Sequence, residues 1–120
     1  GKYIPLNVSA PFHSELMFES SKIFLQKTND IIFNKVNLDI ISNHNLNNYK
    51  NLLESEYLNQ LSLQIYNPVM WSDTIAEIIN LGASHFIEIG PKKTLLNFIS
   101  KDFVIEKNSI SNIEDVKIYV

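Results

Sequence analysis

The 120-residue sequence contains no cysteine, and its ten basic residues are all lysines. The absence of cysteine excludes disulfides, a thiol nucleophile and a thiolate zinc site. The absence of arginine, together with a net charge of −3, disfavours nucleic-acid binding. No apolar run approaches the length that spans a membrane, and the start lacks the regions of a secretory signal. Neither nucleic acid nor a membrane is therefore an expected partner.

Glycine is also scarce, since Gly1, Gly82 and Gly90 are the only three. None of them flanks a serine in a G-x-S-x-G pattern, so the sequence lacks the nucleophile elbow of serine acyl-transfer enzymes. The missing arginine likewise means that a bidentate clamp on a substrate carboxylate would have to come from outside these residues.

Helical and extended patterns alternate along the chain. Helices are predicted at residues 15–31, 49–64 and 67–82, and a fourth is predicted to begin at residue 94. Strands are predicted at residues 3–8, 38–41, 84–89 and 103–105. Three residues are predicted helix caps, namely Ser14, Asn67 (followed by Pro68 at the first helical position) and Ser111. The alternation indicates an α/β fold with a mainly parallel sheet. So few strands would leave sheet edges exposed, which favours a piece of a larger fold.

His13 stands where the first extended run gives way to the first predicted helix. Pro11 biases Ala10 toward extended geometry, so the imidazole projects from a loop at a junction. Because an imidazole titrates near neutral pH without help, His13 is the first candidate for a general base. The alternative is a histidine at a helix start with no chemical role. His44 and His85 complete no metal-ligand spacing, so no metal is expected.

Three motifs follow one another along the chain. They are Ser9-Ala10-Pro11-Phe12-His13-Ser14, then Gln64-Ile65-Tyr66-Asn67-Pro68-Val69-Met70-Trp71, then Glu88-Ile89-Gly90-Pro91-Lys92-Lys93-Thr94-Leu95. In this order they resemble malonyl-CoA:acyl carrier protein transacylases and the acyltransferase domains of fatty acid and polyketide synthases. The resemblance runs over residues 2–103 and covers the C-terminal portion of the family's catalytic domain. It implies that the chain is part of a three-layer, hydrolase-like α/β core that is incomplete here.

The resemblance also implies a reaction. In the family, a serine attacks a malonyl thioester, and the malonyl group then passes to the phosphopantetheine thiol of acyl carrier protein. His13 matches the family's base, and the main-chain carbonyl of Gln64 matches the group that orients it. Phe12 matches a residue that selects malonyl over methylmalonyl, and Gly90 and Thr94 fall at the substrate site. The implied partners are malonyl-CoA, acyl carrier protein and the rest of the catalytic domain, with no metal or redox cofactor.

The chain departs from the family where Lys92 replaces a common glycine, which questions any loop that needs a positive φ there. Lys92 and Lys93 suit a solvated face, and contact with CoA phosphates or an acidic carrier protein is the alternative. Trp71 suits a core position. Two other functions stay open, namely a catalytically silent interaction module and another serine-dependent acyl hydrolase. The bias toward asparagine, lysine and isoleucine favours a plastid-type organelle or a bacterial cytoplasm.

Overall fold

The computed structural model describes Pro5 and residues 8–117, and the chain divides into two compact units, Gly1–Thr74 and Ile75–Val120. The extended run predicted at residues 3–8 lies outside the described residues except for Pro5 and Val8, neither of which belongs to a strand. No helix in the described part of the chain is long and apolar enough to cross a lipid bilayer.

The first predicted helix begins as a 3₁₀ turn, Glu15–Met17, and continues as α1, Phe18–Thr28. Ser14 occupies the N-cap position, but its side chain makes no capping hydrogen bond. Its hydroxyl donates instead to the carbonyl of Pro11 at 2.7 Å. The prediction of a side-chain cap is therefore wrong, because the hydroxyl closes the preceding turn.

The second predicted helix is divided into a 3₁₀ turn, Tyr49–Asn51, and α2, Glu54–Tyr66. Helix α2 packs against α1, where the rings of Phe18 and Tyr66 meet edge to face at 5.2 Å between centroids. The buried centre of this unit is aromatic. Tyr57 is 2% exposed, and its ring lies 5.5 Å from that of Tyr49 and 5.9 Å from that of Phe33.

The strand predicted at residues 38–41 is not formed. Among the described residues of the first unit, this segment contributes a single antiparallel bridge, between Ile41 and Asn48. The Asn48 side-chain oxygen accepts from the N–H of Ile40 at 3.3 Å, and its amide donates to Asp39 at 2.7 Å. Such local side-chain bonds compete with a ladder, and Leu38 is exposed to solvent. The apolar run is therefore an irregular segment at the surface.

The third helix, α3, is Trp71–Asn80 and begins three residues after Pro68, the predicted first helical position. Asn67 is the C-cap of α2 and not the N-cap of α3, since both its N–H and its side-chain amide donate to the carbonyl of Leu63, at 3.1 and 2.8 Å. Gly82 follows α3 with φ of +98°, which a glycine adopts without strain. The predicted helix stop near Gly82 is confirmed.

The second unit contains a parallel pair of strands, β1, His85–Ile89, and β2, Glu106–Ile110, in register from His85 opposite Glu106 to Ile89 opposite Ile110. The first strand and the parallel pairing confirm the prediction. The second strand was predicted at residues 103–105, which is wrong. Val104 is 99% exposed, so the apolar run precedes the ladder, and the more polar residues that follow it form the pairs.

The fourth predicted helix is reduced to a 3₁₀ turn, Leu96–Phe98, which anchors itself by burying Leu96 and Ile99. The terminal helix, α4, is Ile113–Val116. Its cap is Asn112, whose side-chain oxygen accepts from the N–H groups of Glu114 and Asp115. The predicted cap, Ser111, instead donates to the Asp115 carboxylate.

Candidate active site

His13 occupies an unusual backbone conformation, with φ of +63°. A non-glycine residue in this left-handed region is uncommon, and such strained residues cluster at functional sites. Its main-chain N–H donates to the carbonyl of Ile65 at 3.0 Å. The side chain is exposed. The loop therefore holds the imidazole in a fixed place while leaving part of the ring open to an incoming group.

The ring of His13 is tied to the same helix end. Its Nδ1 lies 2.8 Å from the main-chain oxygen of Gln64. A carbonyl oxygen accepts hydrogen bonds and cannot donate them, so Nδ1 must carry the proton. In the neutral imidazole, Nε2 then holds a lone pair. This is the tautomer that a general base needs.

These two bonds use consecutive carbonyls of the last turn of α2. Carbonyls at a helix C-terminus have no partner within the helix. Asn67 satisfies that of Leu63, and His13 satisfies those of Gln64 and Ile65. Two successive carbonyls at the C-terminal end of α2 therefore hold the main chain and the ring of His13.

The side-chain amide of Gln64 forms a hydrogen bond with a different residue. Its Nε2 donates to the hydroxyl oxygen of Tyr49 at 3.0 Å. Tyr49 is buried, and burial raises the pKa of its phenol, although the bond from Gln64 opposes this effect. Gln64 therefore offers its carbonyl to His13 and its amide to the aromatic core.

Phe12 precedes the histidine and is 56% exposed. A hydrophobic staple, in which this ring would pack across the start of the first helix, would bury the ring, so Phe12 does not act as one here. The structure thus brings Phe12, His13 and Gln64 together in the first unit. The roles assigned to them from the sequence stay predictions.

The other two predicted site residues, Gly90 and Thr94, lie in the second unit. The N–H of Gly90 donates to Ile110 at 3.0 Å and extends the β1–β2 ladder. A Cβ built on Gly90 would meet no atom within 4 Å among the described residues. The described residues therefore leave room for a side chain at position 90. Among the described non-glycine residues, positive φ occurs at His13 and Leu46 and not at Lys92, so the backbone at Lys92 does not require a glycine.

Glu88 is the first residue of the third motif, and no role was assigned to it from the sequence. Its carboxylate accepts from the N–H groups of Leu96 at 2.9 Å and Leu95 at 3.1 Å. These bonds, with one from Thr94, lower the pKa of Glu88, and that from Leu96 has the largest effect. The sequence feature that could have indicated its role is an acidic residue near the end of a predicted strand, shortly before a turn. Glu88 fixes the loop that contains Gly90 and Thr94.

The two remaining histidines have other surroundings. His44 Nδ1 lies 2.8 Å from the hydroxyl of Ser42, and burial lowers the pKa of His44. His85 lies between Glu106, at 3.3 Å, and Asn108, at 2.8 Å. Within residues 8–117 and Pro5, no group of three or more histidine, aspartate or glutamate side chains could hold a metal ion.

Comparison with known proteins identifies relatives of this chain. No family model matches the chain. A malonyl CoA-acyl carrier protein transacylase of Staphylococcus aureus is 34% identical over 119 residues. That alignment covers 97% of this chain and 37% of the relative, so the chain spans little more than a third of the curated proteins it matches.

Solved structures give the same result for the fold. The structure of a malonyl CoA-acyl carrier protein transacylase from Clostridium perfringens matches with a TM-score of 0.82 and 29% identity, over 97% of this chain and 36% of that one. The transacylase of Streptococcus pneumoniae matches with a TM-score of 0.84 and 26% identity, over 97% of this chain and 37% of that one. The chain therefore has a part of the mixed helix and parallel-sheet fold of these enzymes, and it belongs to the malonyl-CoA:acyl carrier protein transacylase family.

Proposed function

We propose that this chain supplies the general base of a malonyl transferase, which moves a malonyl group from CoA to the phosphopantetheine thiol of acyl carrier protein. The proposal rests on the two hydrogen bonds that hold the ring and the main chain of His13 at the C-terminal end of α2. That attachment sets the tautomer and the position of an exposed imidazole. The names of the curated relatives supply the donor and acceptor.

The first half of the reaction is acylation of a serine contributed by a part of the protein beyond these 120 residues. His13 Nε2 takes the serine proton as the oxygen attacks the malonyl thioester, because a hydroxyl is a weak nucleophile until a base accepts its proton. The imidazolium then returns that proton to the sulfur as the carbon–sulfur bond breaks. Free CoA leaves, and a seryl ester remains.

The second half reverses these roles. His13 takes the proton of the phosphopantetheine thiol, the thiolate attacks the seryl ester, and the serine oxygen recovers the proton as it leaves. The same nitrogen thus acts as base and then acid in each half. The Gln64 carbonyl keeps Nδ1–H in place throughout. No step requires a metal or a redox group.

Phe12 gives the proposal its substrate preference. The exposed ring beside His13 would lie against the α-carbon of the acyl group, where malonyl has no branch. Methylmalonyl carries a methyl group at that carbon, and a filled pocket discriminates against it. We assign Phe12 the role of a selector for malonyl.

The rest of the catalytic domain is a required partner in this proposal. Large apolar side chains are exposed in both units, among them Leu16 at 80%, Ile32 at 92% and Val104 at 99%. Exposed apolar surface on this scale marks interaction sites. We propose that residues 1–120 are one segment of the acyltransferase domain and that the nucleophile-bearing segment covers part of this surface.

The alternative of a serine hydrolase with an acidic triad member is disfavoured by one contact. The acid of such a triad binds the histidine Nδ1, and here the Gln64 carbonyl occupies that position at 2.8 Å. A catalytically silent module would keep the same contact as a helix cap, so only activity separates it from the enzyme.

The test uses the full-length polypeptide with malonyl-CoA and carrier protein, and it measures the products by mass spectrometry. Malonylated carrier protein that depends on His13 supports the proposal. Release of malonate without carrier acylation would indicate the hydrolase. No product at all from a folded protein would indicate the silent module.

A further inference from the structure

The second unit contains a small cavity with an unusual concentration of positive charge. It has a volume of about 220 Å³ and is lined by residues of the 93–101 segment and of β2. Lys93, Lys101 and Lys107 all line it, with Asn97 and Asn108 among the other residues. Three of the ten lysines of a chain with net charge −3 therefore face one concavity, here termed the lysine cavity.

Nearby carboxylates do not neutralise this charge. Glu106 lies 3.3 Å from His85, and Asp102 accepts from the Ser100 hydroxyl at 2.7 Å. Glu88 accepts from the main-chain N–H groups of the turn. Within the described residues, no carboxylate lines the lysine cavity and none of its three lysines forms an ion pair.

The ammonium of Lys107 is held in place by its environment. Its Nζ donates to the carbonyl of Ile99 at 3.0 Å, which leaves two further N–H groups for a ligand. Asn97 adds an amide that can donate. The amide nitrogen of Asn108 already contacts His85 Nε2 at 2.8 Å. The donors available to a ligand are therefore mostly cationic.

The size and chemistry of the cavity define its ligand. Sites for drug-sized molecules have volumes of about 300–1,000 Å³, so this one suits a compact group. Lysine binds phosphate as a point charge. We propose that the lysine cavity binds a phosphate dianion, either free phosphate or the terminal phosphate of a nucleotide. Only the second source, the 3′-phosphate of CoA, rests on the proposed function.

Calorimetric titration of the full-length protein tests this site, with inorganic phosphate, CoA and dephospho-CoA (which lacks the 3′-phosphate) as ligands. The test variant is Lys101→Gln/Lys107→Gln, in which glutamine still provides a donor for the Ile99 carbonyl. The control is Lys22→Gln/Lys27→Gln, which removes the same charge from two lysines of α1 that do not line the cavity. Circular dichroism checks that each variant is folded.

We expect the test variant to bind phosphate or CoA at least about tenfold more weakly than the wild type, since each charged hydrogen bond contributes substantially. The control should change affinity less than about twofold. If the test variant binds CoA more weakly but dephospho-CoA with unchanged affinity, the ligand is the 3′-phosphate of CoA. If its affinity for inorganic phosphate falls, the ligand is the free ion. Equal affinities in all three proteins would overturn the proposal.

Failure of this site and failure of the proposed function are separable, because the titration measures binding and not turnover. His13→Ala should bind phosphate as tightly as the wild type even when it no longer transfers malonyl groups. If the protein bound phosphate but transferred no malonyl groups, the lysine cavity would still be a phosphate site.

Discussion

The side-chain amide of Gln64 donates to the phenol oxygen of Tyr49 at 3.0 Å, while the main-chain oxygen of Gln64 lies 2.8 Å from His13 Nδ1. One residue therefore connects the aromatic core of the first unit to the candidate base. Because the two contacts use different atoms, mutagenesis can separate them.

Gln64→Ala should lower stability but keep most activity. The substitution retains the carbonyl that binds His13 and removes the partner of the buried Tyr49 hydroxyl, which costs about 1–3 kcal/mol. Urea unfolding and malonyl transfer by the full-length protein measure the two effects. Tyr49→Phe is the control, and the double variant should be less destabilised than the sum of the single changes. A loss of activity as deep as that of His13→Ala contradicts the main-chain role.

Phe12→Ala should relax the acyl preference. If the ring excludes the methyl branch of methylmalonyl, removing it should raise the methylmalonyl-to-malonyl ratio of kcat/KM by about 10- to 100-fold, since small differences in pocket fit are worth 1–3 kcal/mol. Competition between the two thioesters in the full-length enzyme gives this ratio directly. Leu16→Ala, which truncates another exposed apolar residue, is the control. An unchanged ratio would remove Phe12 from the specificity argument.

Glu88 should make the turn after β1 sensitive to acid. Its pKa is lowered from the ordinary value of 4.5, chiefly by the N–H of Leu96. A lowered pKa in the folded state contributes stability above the unfolded-state pKa, and this contribution is lost as the pH falls from 4.5 through the folded-state value. Amide exchange at Leu95 and Leu96 should accelerate over this range, beyond the intrinsic pH dependence of exchange. Glu88→Gln should abolish the excess, and Glu15→Gln should not.

The isolated 120-residue chain should be poorly soluble or should bind a hydrophobic dye. Its exposed apolar side chains, such as Ile32 and Val104, require a covering surface in our proposal. Co-expression with the upstream part of the polypeptide should raise solubility and give a cooperative thermal transition. A sharp cooperative melt of the isolated monomer would argue against the need for that partner.

The sequence predicted elements correctly where strong local signals agreed with packing. The apolar run of β1 and the stop at Gly82 are of this kind. Errors arose where side chains satisfied the backbone locally. Asn67 reads as the start of a helix because a proline follows it, yet its amide closes the preceding helix. A single sequence does not show which of two adjacent helix ends an asparagine will cap.

Some features of the candidate site could likewise be predicted from the sequence, and others could not. The family resemblance implied that the main-chain carbonyl of Gln64 orients His13. The predicted helix end near residue 64 leaves carbonyls without intrahelical partners, and the hydrogen bond between His13 and Gln64 is present. The second bond, from the His13 N–H to Ile65, depends on a left-handed backbone that composition and periodicity do not reveal. The lysine cavity joins residues from separate segments, and that proximity appears only in the folded unit.

The most direct measurement is the rate of seryl-ester formation from malonyl-CoA in the full-length protein, followed by rapid quenching and intact-mass analysis. Our account predicts that His13→Ala acylates about 10²- to 10⁴-fold more slowly than the wild type, whereas His44→Gln, which removes another imidazole of the same unit, acylates at a rate close to that of the wild type. Acylation of His13→Ala at the wild-type rate would contradict the assignment of His13 as the base.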